Sequence, residues 1–280
     1  MENLPIYFIG VSVFLFGLII GSFLNVVIYR LPLGESLAFP GSHCPSCSAP
    51  VKPYDNFPVL SYVVLGGRCR ACKVRISPVY PAVELLVATL YLLVFLRDGL
   101  TVYLLADLVF VSLIVPLVFI DLRHKLLPNR ITYPGLVILT ILRAIAPDPV
   151  VTEATRATWG LESWPAWAVA LVGSSIGALV GGGSLWLVRE FYFRVRRVEG
   201  MGLGDVKMML MVGAFLGWQL SLLTIFTASL LGSLIGMALI WFRSGSMKTE
   251  IPFGVFLGPA AIISLFAGQT LIAWYLTLYT

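Results

Sequence analysis

The chain is laid out as long apolar runs separated by short polar stretches, with runs at about 6–28, 79–96, 101–121, 131–147, 166–188, 205–218, 220–242 and 252–278. A hydrocarbon core about 30 Å thick needs roughly 20 apolar residues per helix. The pattern therefore predicts an all-α polytopic membrane protein of about eight transmembrane helices with one sizeable loop. The sixth run is short, which suits a helix that starts below the membrane surface or in a cavity. It is joined to the seventh through Gly217-Trp218-Gln219, predicted to be a tight turn. The first run is too long for a signal h-region and lacks a basic n-region and a small-residue cleavage site, so it is expected to be retained. Three parts follow: a first transmembrane helix (1–28), a cytoplasmic loop domain (29–78) and a helical bundle (79–280).

Composition agrees with this picture. The chain is 59% hydrophobic and 12% charged, whereas soluble domains average about a quarter charged residues. Charge placement adds an orientation. With the N-terminus outside, the inner loops are 29–78, 122–130, 189–207 and 243–251. Of the 19 basic residues only Arg97, Arg143 and Arg156 then fall elsewhere. The outer loop 148–165 carries Asp148, Glu153 and Glu162 instead. Basic residues concentrate in cytoplasmic loops, so a multi-pass inner-membrane protein with this orientation is expected. The net charge of +5 is accounted for by topology and gives no support for nucleic-acid binding.

All four cysteines lie in loop 29–78, as Cys44-Pro45-Ser46-Cys47 and Cys69-Arg70-Ala71-Cys72. Two C-x-x-C knuckles 21 residues apart match a four-cysteine zinc site. Cytoplasmic thiols stay reduced, and a loop of about 50 residues buries too little apolar surface to fold well without help. Redox-active or inert thiols are the alternatives. Four thiolates leave no open position for substrate, so zinc here would be structural. His43, beside Cys44, is read as an exposed neighbour.

Two carboxylates occupy matching places. Asp121 ends the third run going inward, and Asp205 opens the sixth going outward within Gly200-Met201-Gly202-Leu203-Gly204-Asp205-Val206-Lys207. Both fall at the cytoplasmic face. Carboxylates at a membrane edge are costly without a partner or a task. A close pair shares one proton, so one member takes a proton from water while the other donates to a carbonyl oxygen. Gly202 and Gly204 are expected to allow unusual backbone angles and close approach of an extended substrate. Lys207 either favours ionised Asp205 or snorkels at a helix end. Taken singly, each aspartate is equally well read as a helix-end residue, Asp205 as an N-cap and Asp121 as a partner of Arg123. His124 has no matching serine or cysteine arrangement and is read as interfacial.

These stretches resemble the bacterial type IV prepilin peptidases, bifunctional leader peptidases and N-methyltransferases of pilus and type II secretion systems. The similarity rests on 21–32 (Gly-Ser-Phe-Leu-Asn-Val-Val-Ile-Tyr-Arg-Leu-Pro), both cysteine knuckles, Asp121 through Leu127-Pro128, 202–207, and Ile251-Pro252-Phe253-Gly254. It covers nearly the whole chain. The resemblance implies that Asp121 and Asp205 are the catalytic pair of a membrane aspartic endopeptidase. Its substrate would be a prepilin or pseudopilin with a basic leader ending in glycine, cut on the cytoplasmic side. The new N-terminus would then be methylated from S-adenosylmethionine near the first inner loop, where Asn25, Arg30, Asn56, Tyr80 and Glu84 are the candidate residues. No glycine fingerprint for nucleotide binding is present, and Gly181-Gly182-Gly183 is assigned to helix packing. Where the family often has Pro-Phe-Gly-Pro, this chain has Val255 last, which leaves the Pro-Phe-Gly turn intact. A presenilin-like intramembrane protease and a non-enzymatic transporter or scaffold with a zinc-stabilised loop are the competing readings.

Overall fold

A computed structural model describes residues 6–198, 200–242 and 252–278. The expected loop 243–251, with Arg243, Lys248 and Ile251, lies outside the described residues. The ten helices in those segments are α1 (Ile6–Arg30), α2 (Leu60–Val64), α3 (Val79–Asp98), α4 (Val102–His124), α5 (Asn129–Ile145), α6 (Pro149–Trp159), α7 (Ala166–Arg196), α8 (Leu203–Leu216), α9 (Trp218–Phe242) and α10 (Gly254–Thr277). Among the described residues there is no strand, only the isolated bridges His43–Pro50 and Arg68–Arg75.

Each of the eight apolar runs coincides with a helix, but the count of spans is lower. Six helices are long and apolar enough to cross a membrane, and α5 with α6, bent by 87°, would make a seventh. The correction concerns α8. With 14 residues it extends about 21 Å, short of the hydrocarbon thickness, and most of its residues are buried by other helices. Stretch 148–165, read as a loop, holds α6. Asp148 caps it through Val150 N and Val151 N, Pro149 stands at its first position, and Thr152 and Thr155 form its buried face.

The chain forms two compact units, Met1–Pro116 and Leu117–Thr280, divided within α4. In the first, α1 lies directly against α3. A Cβ on Gly17 would stand 2.6 Å from Ala88 Cα, and one on Gly21 would stand 2.7 Å from Glu84 Cα. Only glycine permits such backbone approach, the usual device for packing helices where lipid removes the hydrophobic drive. Asp107, buried in α4, pairs with Arg97 at the end of α3.

In the second unit α8 is the central rod, in contact with α5, α7, α9 and α10. Gly177 of α7 and Gly213 of α8 meet main chain to main chain, and Gly181 packs on the Met209 carbonyl. The glycine run is thus used for packing at Gly181 and Gly182, while a Cβ on Gly183 would meet nothing within 4 Å among the described residues. Arg143 of α5 is buried, donates from Nε to Phe215 O at 3.0 Å and stacks on the Phe215 ring. It caps the carbonyl end of α8, where a cation is favoured. The three arginines outside the basic loops are therefore all engaged: Arg97 by Asp98 and Asp107, Arg143 by α8, and Arg156 by Glu153 and Trp164 O.

Candidate active site and cysteine centre

Asp121 stands in the last turn of α4 and Asp205 in the first turn of α8, and both are buried, at 4% and 7% exposure. The structure brings them together at a third element. A Cβ on Gly254, the first residue of α10, would lie 2.6 Å from Asp121 Oδ2 and 3.2 Å from Asp205 Oδ1. Those two oxygens can be no further apart than the sum of these distances. The Val255 amide faces Asp121, and the Gly254 and Gly202 amides face Asp205. The N-terminus of α10 thus faces the carboxyl pair, and Asp205 folds back on the amide of Gly202, just ahead of α8. A helix N-terminus offers unpaired N–H groups and a favourable dipole to negative charge. Among the described residues Asp121 Oδ2 is buried and accepts no hydrogen bond.

The local chain explains the convergence. After α4, Lys125 turns in the left-handed region (φ 52°) and its N–H returns to Asp121 O at 2.9 Å. Leu127 is then buried before Pro128 starts α5. Gly204 packs on Leu127: a Cβ there would come within 3.0 Å of Leu127 Cβ. A larger residue would push the first turn of α8 away from Asp121. The role expected for the glycines needs correcting on this point. Gly202 has an ordinary extended backbone (φ −71°, ψ 146°) and Gly204 is helical, so space at Gly204, not special dihedral angles, is what the fold uses.

Lys207 does not face the pair. It donates to Asn129 Oδ1 at 2.9 Å and lies over the Tyr133 ring, pinning α8 to α5. His124 is exposed. Gly254 is the site member that sequence reasoning missed as such. Its signal was the rigid Pro252-Phe253-Gly254 turn ahead of an apolar run.

In the first unit the four cysteine Sγ atoms all lie within 4.8 Å of one another. Cys44 and Cys72 Sγ are 3.9 Å apart, close to the edge of about 3.8 Å that a tetrahedral zinc with Zn–S near 2.3 Å requires. The two knuckles repeat each other. Ser48 N donates to Cys44 O and Cys44 N to Ala49 O, and Lys73 N donates to Cys69 O and Cys69 N to Val74 O. Ser48 and Lys73 both take the left-handed backbone, at φ 57° and 60°. The Cys72 and Ala71 amides draw the Cys69 thiol down to about 7 and those of Ser46 and Cys47 lower the Cys44 thiol, whereas burial and the neighbouring thiols push Cys72 up to about 11. Amides aimed at sulfur favour thiolates, the form that binds metal, and the residues fit a structural zinc. His43 is exposed and turns to Gly41 O.

The methyltransferase candidates are only partly assembled. Asn25 Nδ2 donates to Tyr80 O at 3.0 Å, and Glu84 Oε2 accepts from Val59 N at 2.7 Å. Glu84 also interacts with Ser22 and Asn25. Arg30 turns into the loop instead, donating to Ser36 O and Gly41 O, and Asn56 is exposed. Asn25, Tyr80 and Glu84 therefore stand together at the α1–α3 contact, while Arg30 and Asn56 belong to the loop.

Comparison with known proteins completes the picture. Residues 15–97 match the bacterial peptidase A24 N-terminal domain and residues 108–237 the type IV leader peptidase family. A Pseudomonas putida protein named prepilin leader peptidase/N-methyltransferase is 36% identical, with 96% of this chain and 94% of the relative covered. Relatives of the same name from Aeromonas hydrophila and Pseudomonas aeruginosa are 36% and 35% identical over 95% and 97% of this chain, covering 93% and 94% of their own lengths. No solved structure matches. The chain belongs to the type IV leader peptidase family.

Proposed function

We propose that this protein removes the basic leader of type IV prepilins or pseudopilins after glycine, on the cytoplasmic side, and then methylates the new N-terminal residue. The observation that carries the peptidase half is the meeting of the Asp121 and Asp205 carboxyls over Gly254. With one carboxyl ionised and one protonated, the first takes a proton from water as its oxygen attacks the scissile carbonyl. The second donates to the carbonyl oxygen. Collapse breaks the C–N bond, and the amine leaves with a proton returned from the pair. The two carboxyls act as one titrating unit, so acid and base are not divided between them. Gly204 and Gly254 keep the main chain close enough for both carboxyls to reach one water.

Cys44, Cys47, Cys69 and Cys72 would hold a structural zinc that fixes the loop between α1 and α3. S-adenosylmethionine, when bound, supplies the electrophilic methyl group. Asn25, Tyr80 and Glu84 sit at the junction of α1 and α3 where the amine would be presented. The N-terminus is outside and both aspartates face the cytoplasm, supported by the clustering of basic residues in the inner loops.

The test supplies the purified protein with a prepilin and, separately, an unrelated membrane helix. Leader removal at the glycine with the other helix intact is expected. Cleavage of the unrelated helix alone would favour a presenilin-like protease, and cleavage of neither would leave a transporter or scaffold.

A further inference from the structure

We propose that α2 is a membrane-interface anchor, seating the cysteine loop on the headgroup layer of an anionic bilayer. Across residues 57–64, Phe57, Leu60, Val63 and Val64 are 62%, 66%, 69% and 79% exposed. Within α2, Leu60, Val63 and Val64 share one side, with exposed Phe57 in the bend just ahead of the helix, while Ser61 and Tyr62 are half-buried. A face this apolar is out of place against water.

Its depth is set by a tie to a membrane helix. Val59 N donates to Glu84 Oε2 at 2.7 Å, and Glu84 lies in the second turn of α3, one of the candidate spans. Val59 has φ 60° and ψ −50°, a costly conformation for a β-branched residue. The hydrogen bond to Glu84 holds it there, so α2 starts at the rim of the span.

Charge identifies the lipid. From α2 the chain turns directly into the second knuckle: Gly67 N donates to Tyr62 O, Arg68 N to Leu65 O and Ile76 N to Gly67 O. The bridge between Arg68 and Arg75 sets those two exposed arginines side by side, with exposed Lys73 between them in the chain. Apolar residues on a short helix beside a cluster of arginine and lysine are what an interfacial element on anionic lipid requires.

The full chain in nanodiscs of phosphatidylethanolamine and phosphatidylglycerol tests this, with photoreactive benzoylphenylalanine placed singly at Leu60, Tyr62 or Val64. Illumination and mass spectrometry should show lipid adducts at Leu60 and Val64 several-fold above those at Tyr62, with phosphatidylglycerol enriched over its share of the disc. In Arg68→Glu/Arg75→Glu the lipid adducts should persist and the enrichment vanish. Equal labelling at all three positions, the absence of lipid adducts, or adducts with co-reconstituted prepilin in place of lipid would overturn the proposal. Enrichment unchanged by the arginine reversal would also overturn it.

Discussion

The cysteine cluster of the first unit and the aspartate pair of the second are assembled by opposite means. The cysteines meet because two short knuckles of the same design, each closed by its own main-chain hydrogen bonds, fold back on one another within a single loop. The aspartates are far apart in sequence and meet because α4, α8 and α10 end at one place. There Gly204 against Leu127 and Gly254 against both carboxyls remove the side chains that would hold them apart. One site is built from local turns that gather four thiols, the other from helix packing. Damage to each should therefore have a different signature.

The largest separation is expected from metal removal. Stripping zinc, or Cys69→Ser/Cys72→Ser, should eliminate N-terminal methylation of a pilin while leader removal changes by no more than about threefold. Electrospray mass of the processed pilin reports both, and equal loss of the two activities would break the contrast. Next comes Gly254→Ala. Its methyl group would overlap Asp121 Oδ2, and displacement of a reacting group by about 1 Å can cost about 100-fold in rate. Cleavage kinetics should fall on that scale with methylation of a pre-cleaved pilin intact. Arg143→Met removes the cap on α8 and should cost about 2 kcal/mol of stability, as for a buried charged hydrogen bond, seen as a lower thermal midpoint in detergent. Lys207→Met should be mildest. Because Lys207 bonds Asn129 and not the pair, cleavage should drop no more than about threefold, the effect of one partly exposed contact.

The sequence disclosed the two sites unequally for the same reason. Knuckle spacing is a local signal, so the cysteine cluster could be read directly. The aspartates were legible only through depth, since charge placement put Asp121 and Asp205 on one face without saying what closed the gap. Gly254 and Leu127 do that, and neither carries chemistry of its own to mark it. Among the helices, the strongly apolar ones were plain. α6 was hidden because threonine lines its buried face, although Asp148 followed by Pro149 is a recognisable start. Asp107 was passed over because its partner Arg97 sits on a different helix, a pairing that periodicity does not reveal. The shortness of α8 was visible, but its burial came only with the packing of its neighbours.

The most direct test of the aspartate pair is the intact mass of a prepilin co-expressed with the wild-type chain, with Asp121→Asn or with Asp205→Asn. Membrane levels of the three proteins are matched by immunoblot. Wild type should yield cleaved, methylated pilin. Each variant should leave the leader attached, with processing down about 1,000-fold or more, as loss of a general acid–base group implies. Normal leader removal by either variant would contradict the assignment of these two carboxyls to the chemistry.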